Sequence, residues 1–286
     1  MSTTLAHTVV STPHTTPART LRLGYWTAIA FLALVILVAL AAPWVAPYPP
    51  DAIDFDAIWE GPSTAHPLGT DQLGRDLLSR IIFGARASLL GPLVLLIIAT
   101  ALGVAIGTVA AWKGGWVDTL LARITDVMFA FPGLLFVVLM IAVFGKGPFT
   151  AVIALGLAFA PVIAKFTRSI ALSELSRPYI DAYRVQGVGA VTVCVRYVIP
   201  NLAPALLGYL VVLFGEGLMG LATLSYLGFG SQPPSSEWGL MVQEGQDGIL
   251  LGFFWPTAVP GIAIAAVVVA VNIIGVRIAD RLDSRR

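Results

Sequence analysis

The sequence predicts an all-α membrane protein that crosses the bilayer about six times. Three observations carry this expectation. Of 286 residues, 57% are hydrophobic and only 12% charged, about half the charged share of an ordinary soluble domain. The charges gather in short clusters between long charge-free runs. Those runs are continuous rather than alternating, which suits helices and not the strands of a barrel, the only other structure that satisfies its backbone in hydrocarbon.

Taken in order, residues 1–22 read as a disordered cytoplasmic tail. They hold Ser, Thr, His and Pro without apolar periodicity and end in Arg19 and Arg22. The membrane domain spans 23–286. Its first charge-free run covers 23–50. Ala39-Leu40-Ala41 resembles a signal cleavage site, but the run is longer than a signal core and more runs follow, so it reads as a span. Further runs cover 87–112, 127–145, 147–164, 197–215 and 248–276. Each approaches or exceeds the ~18–20 residues that a helix needs to cross the hydrocarbon. Gly145-Lys146-Gly147-Pro148 breaks the third run from the fourth as a tight hairpin.

Orientation follows from the Lys/Arg bias. With the N-terminus inside, 13 basic residues fall on inner segments and only four, Arg75, Arg80, Arg86 and Lys146, on outer ones. Both termini are therefore expected in the cytoplasm. Two outer segments are sizeable, 47–85 and 224–255; the second carries Glu237, Glu244 and Asp247 and no basic residue.

Several function classes drop out. A net charge of +1 gives no field for nucleic acid. His7, His14 and His66 form no cluster for a metal, and His66, in an outer loop, is expected to be solvated. Cys194, the lone cysteine, reads as a packing residue. No phosphate-cradling Gly-x-x-x-x-Gly-Lys-[Ser/Thr] and no nucleophile elbow occurs, so neither nucleotide binding nor hydrolysis is expected of this chain.

Between the fourth and fifth spans, about 174–199, lies the most informative inner segment. Ser176 is placed to cap a helix, Pro178 suits its first turn, Asp181 suits its positive end, and Gly187 and Gly189 stop it. The expected product is a short surface helix pinned between two membrane helices. At this level a solvated loop helix and a docking helix look alike. Elsewhere, Arg123 and Asp126, three apart on one helix face, are placed to pair near the inner boundary. Glu216 is the one acid well inside a predicted span. A charge there costs ~2.5–3.5 kcal/mol, so it should face the protein interior or a water-filled path. Gly215, Gly217 and Gly220 around it permit close helix packing.

The segment resembles bacterial ABC importer permeases. These carry Glu-Ala-Ala, then Gly six residues after the Glu, then Leu-Pro thirteen further on. Here Asp181-Ala182-Tyr183, Gly187 and Ile199-Pro200 stand at those spacings, with Tyr183 the main departure. Further blocks resemble the second-subunit type of dipeptide/oligopeptide/nickel permease: 66–76, Gly114 to Asp118, Phe131-Pro132-Gly133, 225–239 and the C-terminal Pro260-Gly261 to Asp283. The likeness covers about 20–286. It departs at Val276, where the family usually has Asp, and at Leu221, where it often has Glu.

The resemblance implies the type I permease fold of ABC importers. It makes the inner helix a coupling helix that docks on an ATPase, through Asp181, Ala182, Tyr183, Arg184, Gly187 and Pro200. It implies a second, homologous permease, two cytoplasmic ATPases holding ATP and Mg, and an extracytoplasmic peptide-binding protein. No cofactor is expected on this chain. Asp71, Arg75, Asp76, Gln232 and Trp238 are expected to meet the binding protein, and Glu216 and Asn272 to line the substrate path. Di- or oligopeptides are the expected substrate, with nickel or glutathione as alternatives. The resemblance also places the chain in the bacterial cell membrane, surrounded by lipid. An ion-driven secondary transporter would favour broken helices or acids repeated in two halves, and neither repeats here.

Overall fold

An apolar chain in lipid must satisfy its backbone within itself, and the charge-free runs accordingly become helices. The computed structural model describes residues 18–283, so most of the expected disordered tail, 1–17, lies outside the described residues. The helices are α1 (Ala18–Leu40), α2 (Leu77–Lys113), α3 (Gly115–Ala130), α4 (Gly133–Phe144), α5 (Pro148–Leu175), α6 (Pro178–Val185), α7 (Ile199–Tyr226), α8 (Trp238–Glu244) and α9 (Trp255–Asp283), with a few shorter turns between. Among the described residues, five helices are long and apolar enough to cross a membrane alone. A sixth crossing forms if α3 and α4, bent by 87° at their junction, act as one span.

Several boundaries differ from the sequence expectation. Residues 18–22, assigned to the tail, are helical. The second span was expected at 87, after Arg86, but α2 starts ten residues earlier. Asp76 caps it by accepting from the Ser79 amide, and its early arginines are satisfied; Arg86 Nε donates to the Ala39 carbonyl at 2.6 Å. A charge ends a membrane helix only where it has no partner. Ala39, in the cleavage-like triplet, and Ala42, just after it, are buried in the fold. The run expected at 127–145 is the bent pair instead. Pro132 stands at the N-cap of α4 with Phe131 extended before it, as the residue before a proline prefers.

The principal contact is α2 against α5, along most of both helices. A Cβ on Gly103 would meet Ile163 Cβ at 2.7 Å and the Ala160 carbonyl at 2.9 Å; one on Gly107 would meet the Ala164 carbonyl at 2.6 Å. This small-x-x-x-small pair lets the two backbones touch, and dispersion across that seam holds the helices where lipid offers no hydrophobic drive. Leu95, Ala99, Ile163, Leu213 and Leu224 fill the core that α2, α5 and α7 share. On the other side α9 lies along α7, and α1 lies on α9 and α2. The hairpin between α4 and α5 turns on Gly145 and Gly147, both at positive φ.

At the inner end the expected Arg123–Asp126 pair does not form. Lys165 of α5 takes Asp126 at 2.8 Å while lying over the Phe129 ring at 4.2 Å. Arg168 Nη2 binds Asp118 at 2.6 Å. A cation from the neighbouring helix gains both a carboxylate and a ring, and α3 is clamped to α5 rather than neutralised within itself.

Candidate functional site

The inner helix α6 is built as its residues dictate, with one correction. Pro178 opens it and Asp181 lies in its first turn, but the N-cap is Arg177. The Ser176 hydroxyl instead donates back to the Ser173 carbonyl at 2.8 Å. The C-terminus is a Schellman motif: Val188 N–H bonds the Tyr183 carbonyl and Gly187 N–H the Arg184 carbonyl, both at 3.1 Å. Gly187 sits at φ +75° to close it, and a Cβ there would meet nothing within 4 Å.

One face of α6 is anchored. Ile180 is fully buried among Ala171, Leu175, Val193, Val198 and Leu202. Tyr183, the departure from Ala, stacks on Tyr197 with ring centroids 4.3 Å apart. Tyr179 donates to Glu174 at 2.6 Å and receives the Asn201 amide at 3.1 Å; burial, and then that acceptor, push its phenol up. The other face is open. Asp181, Ala182, Arg184 and Gln186 are exposed, and Val185 is 89% exposed. An apolar side chain is thus presented almost fully at the end of a short anchored helix. Pro200 is exposed at the start of α7. Arg184 also lies over the Trp112 ring at 5.0 Å, which ties α6 to the inner end of α2.

The outer site lies at the other end of α2. Arg80 and Trp112 are 32 residues apart on one helix, about 48 Å, so the two sites face opposite sides of a bilayer. Two carboxylates and two guanidiniums form a closed ring there. Asp71 accepts from Arg75 at 2.7 Å and from Arg80; Glu244 accepts from Arg75 at 3.0 Å and Arg80 at 2.8 Å. All four are buried. Gly74 makes the tight 71–75 loop possible, at φ +71° with the Asp54 carbonyl where a Cβ would stand. His66 is buried rather than solvated: Nδ1 is 3.0 Å from Asp76, whose other oxygen holds Ser79, and its ring lies on Tyr48. The outer segment folds back over α2, and that return encloses the imidazole.

Of the five residues expected at a binding-protein surface, Asp71, Arg75, Asp76 and Trp238 are buried. Trp238 donates to the Ile81 carbonyl at 3.0 Å. Only Gln232 is exposed, donating to the Gly228 and Gly230 carbonyls at 3.2 Å. Asp71, Arg75 and Trp238 thus belong to the contacts that hold the two outer segments together, while Asp76 holds His66 and the first turn of α2. Beside them Glu237 caps α8, accepting from the Gly239 and Leu240 amides; burial nevertheless pushes its carboxyl above the usual range.

Within the spans, Glu216 and Asn272 are both exposed. The Asn272 amide lies about where α7 meets α9, since a Cβ on Gly215 would stand 3.6 Å from its oxygen. The three glycines allow the close packing expected of them, each against a different helix. Gly215 faces α9, Gly217 faces Leu95 of α2, and Gly220 faces Leu155 of α5. They seat α7 among three neighbours and leave the Glu216 face open.

Arg80, Glu244, His66 and Glu174 were missed from sequence. Glu244 was visible as an acid on an outer segment otherwise lacking counter-ions, but nothing local paired it with arginines so distant. Gly103 and Gly107 carried a legible spacing signal.

Residues 102–286 match the binding-protein-dependent transport system inner membrane component family, and 25–62 match the N-terminal TM domain of oligopeptide transport permease C. The di/tripeptide transport system permease protein DppC of Pseudomonas aeruginosa is 37% identical over 89% of this chain and 86% of that protein. The putative peptide transport system permease protein of Brucella suis is 36% identical over 93% and 88%. The glutathione transport system permease protein GsiD of Pectobacterium atrosepticum is 34% identical over 89% and 85%. A multi-helix membrane chain with an anchored inner helix and a ring-locked outer layer, matched along most of its length, belongs to the family of binding-protein-dependent transport system inner membrane components.

Proposed function

We propose that this chain is the permease subunit of an ATP-driven importer and forms half of a path for di- or oligopeptides across the bacterial inner membrane. The observation that carries the reading is α6: a short helix fixed on one face to α5 and α7 and bare on the other, with Val185 outermost. One of two cytoplasmic ATPases binds it through Asp181, Ala182, Tyr183, Arg184 and the Gly187 turn, with Pro200 behind it. The ATPases supply ATP and Mg; this chain holds no cofactor. Both termini lie in the cytoplasm. A homologous second permease completes the path.

On the outer face an extracytoplasmic binding protein delivers peptide. Gln232 meets it directly, while Asp71, Arg75, Asp76 and Trp238 hold the receiving surface rigid from beneath. Closing of the ATPases displaces α6, and the helix bundle exchanges one packing for another, so that the path opens to alternate sides. Glu216 and Asn272 face that path. A carboxylate on an open face of α7 avoids a cost of ~2.5–3.5 kcal/mol only if water or a partner covers it, and a peptide ammonium in a wet path satisfies it. Peptide as substrate rests on the similarity to permeases named for di/tripeptide and peptide transport. Glutathione, itself a tripeptide, is the second reading, favoured by the similarity to permeases named for its transport.

Gly187→Glu tests the docking site. The new side chain has room in this chain and strains the backbone by about 1–2 kcal/mol, so insertion should persist while ATP-dependent uptake is abolished. Uptake at the wild-type rate would sink the assignment.

A further inference from the structure

We propose that Glu174 is a positioning residue that makes the inner helix move as one body with the spans on either side of it. This rests on the reading of α6 as the ATPase contact. Glu174 lies in the last turn of α5 and is 5% exposed. An acid there opposes the negative end of the helix dipole, and burial adds a desolvation cost, so the site must return more than it takes. Three partners converge on the carboxylate. One oxygen accepts from the Tyr179 hydroxyl at 2.6 Å and from the Asn201 amide at 3.0 Å; the other pairs with Arg177 Nε at 2.9 Å. Tyr179 belongs to α6, Asn201 to the first turn of α7, and Arg177 to the junction before α6. Tyr179 and Asn201 also bond each other at 3.1 Å, which closes a triangle across three elements.

The joints on either side of α6 are intrinsically soft. The Ser176–Arg177 junction leaves the helical path, and a glycine at positive φ ends α6. Ile180 and the Tyr183–Tyr197 stack seat the body of α6, but without a brace at its N-terminal joint a push on Val185 pivots the helix there. The Glu174 triangle removes that freedom, so displacement of α6 must shift the inner ends of α5 and α7 together. Work done on α6 then reaches the packing of the spans.

The test uses the assembled transporter, with its binding protein and ATPases, in liposomes. Cys194→Ser removes the only native thiol, and Val185→Cys supplies a probe for cross-linking to the ATPase. Glu174→Leu should keep the cross-link and ATP hydrolysis within about twofold while peptide taken up per ATP falls by at least about fivefold, the lower range of ordinary coupling free energies. Glu174→Gln should restore coupling. Its amide oxygen still accepts from Tyr179 and Asn201, and the lost partner Arg177 is half exposed and contributes little. Wild-type uptake per ATP in Glu174→Leu overturns the inference alone. Loss of cross-linking, hydrolysis and uptake together in both variants also overturns it, because Glu174 would then serve folding and not transmission. Absence of the cross-link in the wild-type Glu174 background overturns the docking reading and this inference with it.

Discussion

Replacing Arg80 by Met tests whether the outer layer is held by its ionic ring. Asp71 and Glu244 each accept from two guanidiniums, and the four buried charges sum to zero. Arg80→Met keeps an aliphatic stem and deletes one positive charge, which leaves two buried carboxylates on Arg75 alone. Removing one partner of a buried pair costs about 3–5 kcal/mol. Arg75 still reaches both acids, so the lower end applies, about 3 kcal/mol. That energy should appear as easier opening of α8, which the ring ties to α2 through Glu244. Hydrogen exchange of the Met241 amide, bonded to the Glu237 carbonyl at 2.9 Å, is the direct readout. A loss of about 3 kcal/mol corresponds to on the order of 100-fold less protection. Adding Glu244→Gln to Arg80→Met restores neutrality and should recover a large part of it. Unchanged exchange in the single variant, or lower protection in the double than in the single, would refute the ionic account and leave Trp238 and the apolar contacts as what holds α8.

Three further outcomes are expected. Gly107→Leu should force α2 off α5, since even a Cβ meets the Ala164 carbonyl at 2.6 Å and Thr167 Cβ at 2.8 Å; a loss of about 1–3 kcal/mol or more is readable as a lower melting point of the purified permease. Glu216→Gln should change uptake while the two permeases still purify together; loss of the pair would make this residue a packing group instead. Glu237 has a pKa raised by burial, so the folded state holds its proton more tightly than the unfolded chain. Its contribution to stability is full below the unfolded value of about 4.3 and is lost as pH rises through the folded value, and Glu237→Gln should flatten that part of the stability–pH curve.

The match between residues and fold is closest where the signal is local. Pro178, Asp181 and Gly187 mark both ends of α6 because a cap or a positive φ depends on residues within one helical turn. The hairpin at Gly145 to Pro148 is legible for the same reason. The boundary drawn at a charge failed at Arg86, because a charge terminates a membrane helix only when nothing neutralises it. Whether something does is decided by residues elsewhere in the chain.

By itself, then, the sequence determined that this protein is helical, that it sits in a membrane, roughly where its five or six crossings fall, and that a short helix lies between two of them. Hydrophobic runs and turn chemistry are short-range properties, and lipid permits few alternatives. Tertiary structure alone decided which groups serve which end. It paired Glu244 with Arg75 across 169 residues, enclosed His66, handed Asp126 to Lys165, divided the three glycines of α7 among three neighbours, and gathered Tyr179 and Asn201 on Glu174. Each is a long-range electrostatic or steric choice whose energy depends on burial, and burial exists only once the helices have packed.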